Sequence, residues 1–113
     1  MKIIKTGILT TLLLTSASVF ADTVSWYGKP FHGRKTANGE TYNMYGNTTA
    51  SNSHKMGTML KVTNLSNGKS VVVKVNDTGG FRKYGRILDL SYGAFSRIAN
   101  PAQGTVKVRI VKL

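Results

Sequence analysis

The sequence predicts a mainly β protein, a compact β-barrel of short strands with one small helix. Three observations carry this expectation. Met59–Leu65 and Thr105–Val111 alternate apolar and polar residues with the period of two that marks a half-buried strand. Asn67-Gly68, between Met59–Leu65 and Ser70–Val75, is the dipeptide that closes a tight hairpin, because both turn positions need positive φ. Only Tyr92–Ala99 spaces its apolar residues for a helix. Short strands with a single helix bury their faces best when the sheet curls on itself.

The elements follow in order. Val24–Tyr27 is a short β-prone run. Gly28 to Gly57 is rich in Gly, Asn, Thr and Tyr and reads as loops with short strands. Met59–Leu65 and Ser70–Val75 form the hairpin, and the second is apolar enough to be central. Arg86–Leu90 is a further strand. Ser91 is placed to cap the helix that follows, with Ala94, Phe95 and Ile98 on one face, and Asn100-Pro101 ends it. In Thr105–Val111 the apolar residues divide between the two faces, with Lys107 and Arg109 on one side.

At 113 residues the chain holds one domain. Lys2 and Lys5 precede an apolar run from Ile8 to Phe20, followed by Ala21. This reads as a secretory signal peptide over 1–21, with the folded domain at 22–113. The run is short for a membrane span. The expectation is therefore export to the periplasm or beyond. Lipid anchoring is not expected, since no cysteine follows the run. The absence of cysteine also leaves stability to the core alone.

Sixteen basic and four acidic residues give a net charge of +12, or +10 without Lys2 and Lys5. That surface favours anionic cell-envelope polymers. Nucleic acid would suit the charge but not export. Nothing in the sequence calls for an oligomer, so a monomer is expected. His32 and His54, with no cysteine and few acids, make a poor metal site.

Among the four acids, Asp22 is expected to be solvated, and Asp89 to cap a turn or pair with Arg86. Glu40 lies in the loop "TANGETY". Asp77 follows a strand and precedes Gly79-Gly80, where Asp serves a turn well. A carboxyl group at a strand end can also be partly desolvated, hold its proton and give it to a glycosidic oxygen. Glu40 and Asp77 would form a carboxylate pair if the fold joined their loops. The aromatics Trp26, Tyr27, Tyr42, Tyr45, Phe81, Tyr84 and Tyr92 are either core or sugar-stacking faces.

"SWYGKPFHGRKTANGETYNM", "GTMLKVTNLSNGKSVVVKVND" and "GRILDLS" resemble, in that order, the bacterial rare lipoprotein A (RlpA)-like proteins. The resemblance implies a six-stranded double-psi β-barrel with one or two short helices. It also implies a lytic transglycosylase that cuts peptidoglycan glycan strands stripped of stem peptides and leaves 1,6-anhydro-N-acetylmuramic ends, without metal or cofactor. On the family's motifs Asp77 takes the place of the catalytic acid/base and Glu40 of its partner. Tyr27, Tyr42, Asn76 and Phe81 stand as substrate-binding candidates. Ser51 stands where many members carry a functional histidine, and His54 follows three residues later, so both are candidates for the groove. Thr78 and Gly80 replace an Arg and a Pro. A second reading is a non-catalytic, expansin-like module that binds wall polysaccharide. A third uses the barrel as the scaffold of a secreted effector or inhibitor.

Overall fold

The computed structural model describes residues 21–79 and 85–113. Phe81, Tyr84 and residues 1–20 of the expected signal segment lie outside the described residues. The strands are β1 (Asp22–Tyr27), β2 (Thr48–Ser51), β3 (Met59–Asn64), β4 (Ser70–Asp77), β5 (Leu88–Ser91) and β6 (Thr105–Lys112). Helix α1 (Tyr92–Ile98) lies between β5 and β6, and single 3₁₀ turns occupy Lys29–Phe31 and Pro101–Gln103. The strands close into a barrel in the order β1-β5-β2-β4-β3-β6, with β6 returning to β1. Closure leaves no strand edge unpaired.

The β1–β5 and β2–β4 seams are parallel, and the other four are antiparallel. A parallel seam needs a long crossover rather than a hairpin. Gly28–Asn47 leads from β1 to β2, and that loop supplies much of the site described below.

The inner positions are apolar. Val24, Leu60, Val62, Val73, Val75, Leu88, Leu90 and Val108 are fully buried, and α1 adds Ala94, Phe95 and Ile98, the face that the spacing predicts. The hairpin turn also agrees with its sequence. Gly68 has φ +76°, and its N–H bonds the Asn64 carbonyl at 2.8 Å.

Ser91 does more than cap the helix. Its Oγ accepts from Ala94 N–H at 3.2 Å and Thr48 N–H at 3.4 Å, and donates to the Gly46 carbonyl at 2.5 Å, with no exposure to solvent. Ser91→Ala strands three backbone groups at once. It is expected to cost about 1–3 kcal/mol of unfolding free energy, read from a urea titration.

Candidate functional site: two carboxylates on one outer row

The site begins with an irregularity in β4. Thr49 pairs with Val75, but the next residue, Ala50, pairs with Asp77. Asn76 is therefore an extra residue, a β-bulge. Strict alternation would place Asp77 on the same face as Val75, in the core. The bulge turns Asp77 to the opposite face and tucks Asn76 inward, which is why Val75 and Asn76 are buried in succession.

Ala50 also pairs with Asp89 on β5, and Asp89 pairs with Ser25 on β1. Asp77, Ala50, Asp89 and Ser25 therefore form one row across four neighbouring strands. Along that row Ala50 stands between the two acids. Two strand spacings separate their backbones by about 10 Å. The charge of Asp77 is felt at the Asp89 carboxyl across that gap.

The two carboxyls differ in environment. Asp77 is held entirely as an acceptor: Tyr27 Oη donates to Oδ2 at 3.0 Å, and the Ala37 and Thr78 N–H groups donate to Oδ1, each at 2.9 Å. Asp89 accepts from Ser25 Oγ at 2.6 Å, and Ser25 in turn accepts from Arg86 Nη1 at 2.8 Å. Burial pushes the Asp89 carboxyl above the usual carboxylate range, and the charge of Asp77 adds to the rise, against Ser25 and Arg86. The Tyr27 phenol is pushed up by burial first and by Asp77 next, so it keeps its proton and donates.

The loop motif "TANGE" builds one wall. Gly39 has φ +88°, which L side chains rarely adopt, and the Asn38 Oδ1 accepts from the Glu40 N–H at 3.1 Å. The resulting turn presents the Ala37 N–H to Asp77. Glu40 fastens the turn on its other side. Its carboxylate accepts from Lys74 Nζ at 2.6 Å and Asn76 Nδ2 at 3.0 Å. The Lys74 bond, then the Asn76 bond, holds it below the usual carboxylate range.

The loops of Glu40 and Asp77 are thus brought together, but Glu40 does not share the row of Asp77. The Glu40 carboxylate is tied to the Lys74 ammonium and so fastens the turn. The carboxylate on that row is Asp89, for which the sequence favoured a structural role, capping a turn or pairing with Arg86.

The remaining candidates fall as follows. Tyr27 is at the site. Tyr42 and Asn76, at 1% and 2% exposure, offer no face to a ligand. Tyr42 instead stacks under Tyr27, with ring centroids 4.3 Å apart and planes at 14°. Its Oη donates to the Tyr27 carbonyl at 2.5 Å. Ser51 is 1% exposed, and its Oγ accepts from the Ser53 and His54 N–H groups, both at 3.2 Å. That serine shapes a turn. The Asn52 side chain ties the turn to the Asp77 loop, since it donates to the Gly79 carbonyl and accepts from the Gly79 N–H at 3.3 Å. His54 is half-exposed on that turn. His32 is structural, accepting the Met44 N–H at Nδ1 at 3.1 Å. A concavity of about 440 Å³ at the β1–β6 seam, lined by Thr23, Leu65 and Lys107 among others, contains no carboxylate.

Comparison with known proteins identifies the family. The model of a family described as lytic transglycolase matches residues 19–110. A Campylobacter jejuni protein named endolytic peptidoglycan transglycosylase RlpA is 55% identical over 86 residues, which cover 76% of this chain and 31% of that protein. The Pseudomonas aeruginosa protein of the same name is 48% identical over 88 residues, 78% of this chain and 26% of that one. The chain thus spans about a quarter to a third of the length of these relatives. Among solved structures, a mutant expansin of Clavibacter michiganensis in complex with cellohexaose superposes with a TM-score of 0.64 at 21% identity, covering 82% of this chain and 49% of that one.

Proposed function

Because this chain belongs to the RlpA-like family of double-psi β-barrels, we propose that it is a peptidoglycan lytic transglycosylase whose working carboxyls are Asp89 and Asp77. The observation that carries this reading is the outer row, which sets two carboxyl groups in different hydrogen-bonding environments on either side of Ala50.

Asp89, whose carboxyl burial raises above the usual carboxylate range, donates its proton to the oxygen joining C1 of N-acetylmuramic acid to N-acetylglucosamine. The C1–O bond breaks, and positive charge that develops on the muramic ring is stabilised by Asp77. The muramic acid's own C6 hydroxyl then bonds to C1, and Asp77 takes its proton. One product ends in a free N-acetylglucosamine hydroxyl, the other in a 1,6-anhydro ring. Proton exchange with solvent restores Asp89 and Asp77. Tyr27, Ala37 and Thr78 fix the orientation of Asp77 through its three bonds. The chemistry calls on no metal or cofactor. The substrate is a wall polymer, consistent with export of the domain to the periplasm or cell surface.

The expansin-like reading is favoured by one observation: Ser51, where many relatives have a histidine, is buried and spends its hydroxyl in a turn. Release of soluble fragments separates the readings. Insoluble peptidoglycan incubated with the purified protein should lose glycan to the supernatant. Protein that sediments with the wall in a salt-sensitive way, and releases nothing, is a binding module.

A further inference from the structure

One aromatic ring beyond the carboxylates lies a feature that the mechanism does not use. Phe31 ends the 3₁₀ turn Lys29–Phe31 and is 46% exposed. Its ring meets Tyr27 edge-on, with centroids 5.7 Å apart and planes at 69°, and Tyr27 is the residue bonded to Asp77. The Arg34 guanidinium sits over the same Phe31 ring at 5.9 Å. Arg34 is itself exposed. The backbone holds both residues in place: Arg34 N–H bonds the Phe31 carbonyl at 3.0 Å, and the Arg34 carbonyl accepts from Tyr42 at 2.7 Å. Phe31 and Arg34 thus form a braced ledge continuous with the site, apolar on one part and cationic on the other.

We infer that this ledge is a glycan subsite that reads a sugar bearing a free carboxylate. The inference rests on the reading of the site as a peptidoglycan cleft. The C–H face of a pyranose ring covers an exposed phenyl ring, removing apolar surface from water. A guanidinium beside it suits a carboxylate, which it can hold through two parallel bonds. Among the described residues the ion pair found is Lys74–Glu40, so Arg34 is not committed to a carboxylate of the protein. In a glycan of alternating N-acetylglucosamine and N-acetylmuramic acid, the carboxylate is the lactyl group on every second sugar. A stem peptide converts that group to a neutral amide. The ledge therefore provides a physical means of preferring stripped strands: it gains an ion pair when the lactyl group is free and loses it when a peptide is attached.

The test uses two probes, stripped glycan strands and the same strands with their lactyl carboxylates converted to methylamides. Affinities are measured in the Asp89→Asn background, so that cleavage does not consume the strands. Arg34→Gln is expected to weaken binding of the acidic strands about three- to tenfold and to leave the amidated strands unaffected. Phe31→Ala is expected to weaken both alike. Equal effects of Arg34→Gln on both probes, or none on either, overturns the carboxylate subsite. A Phe31→Ala protein that binds both probes as before overturns the stacking face. Thermal melts establish that each variant is folded. Wild-type cleavage is scored separately: discrimination without cleavage sinks the transglycosylase reading and leaves the ledge standing, and cleavage without discrimination does the reverse.

Discussion

Replacing Asp89 by asparagine is expected to lower the rate of glycan cleavage about a thousandfold while making the protein more stable at neutral pH. Both effects follow from one cause. The folded state holds the Asp89 carboxyl above its unfolded range, chiefly by burial. A raised carboxyl contributes stability that is fully present below its unfolded pKa and is lost as pH rises through the folded value. At neutral pH the buried charge is therefore a cost, and Asn removes it. The amide oxygen can still accept from Ser25 Oγ, so the network through Arg86 is preserved. The amide cannot serve as a general acid, which accounts for the rate loss of about 10²–10⁴. Melting curves of wild type and Asp89→Asn should converge as pH falls toward the unfolded range. Wild-type cleavage should decline as pH rises through the Asp89 pKa. A variant less stable than wild type at pH 7 would mean that the Arg86–Ser25–Asp89 network outweighs desolvation.

Gly93→Ala is expected to destabilise the fold by about 3 kcal/mol, although alanine is normally the better helical residue. Gly93 lies in the first turn of α1, where the propensity difference alone favours Ala by about 0.5–1 kcal/mol. Packing reverses the sign. A Cβ there would lie 2.6 Å from the Tyr45 carbonyl oxygen and 2.7 Å from its carbon, both of them backbone. The Gly93 N–H is bonded to the Met44 carbonyl at 2.6 Å, so helix and loop cannot separate without losing that bond. Strain of this kind costs about 1–3 kcal/mol, and the lost bond adds to it. Tyr42 begins the same short segment, so cleavage should fall along with the urea midpoint.

Much of the barrel was legible in the sequence because its strands declare themselves locally. Met59–Asn64, Ser70–Asp77 and Thr105–Lys112 alternate or run apolar, and Asn67-Gly68 forces their reversal. The helix was legible for the same reason: its cap and its buried face lie within eight residues of one another. β2 was not. Four residues, Thr-Thr-Ala-Ser, in a stretch rich in Asn and Gly carry no period, and the strand exists because β4 and β5 flank it.

The site divides in the same way. Asp77 and Glu40 were found through their motifs, and the structure brings their loops together. The relation between Asp77 and Asp89 was hidden, because it depends on a one-residue bulge at Asn76 and on pairing through Ala50. Counting alternate residues back from Asp77 to Val75 points to the core, the wrong face. The available signal was the break itself, a polar Asn-Asp at the end of the apolar run Val71–Val75. The clamp role of Glu40 was equally non-local, since Lys74 and Asn76 lie more than thirty residues away.

The measurement that bears most directly on the carboxylate pair is product mass in ¹⁸O water. Wild-type protein and the Asp77→Asn and Asp89→Asn variants would be incubated with stripped glycan strands, and the new chain ends weighed. Wild type is expected to give 1,6-anhydro ends without ¹⁸O, and both variants to give almost none. Reducing ends carrying ¹⁸O would contradict closure by the C6 hydroxyl, and anhydro ends undiminished in either variant would contradict the assignment of the pair.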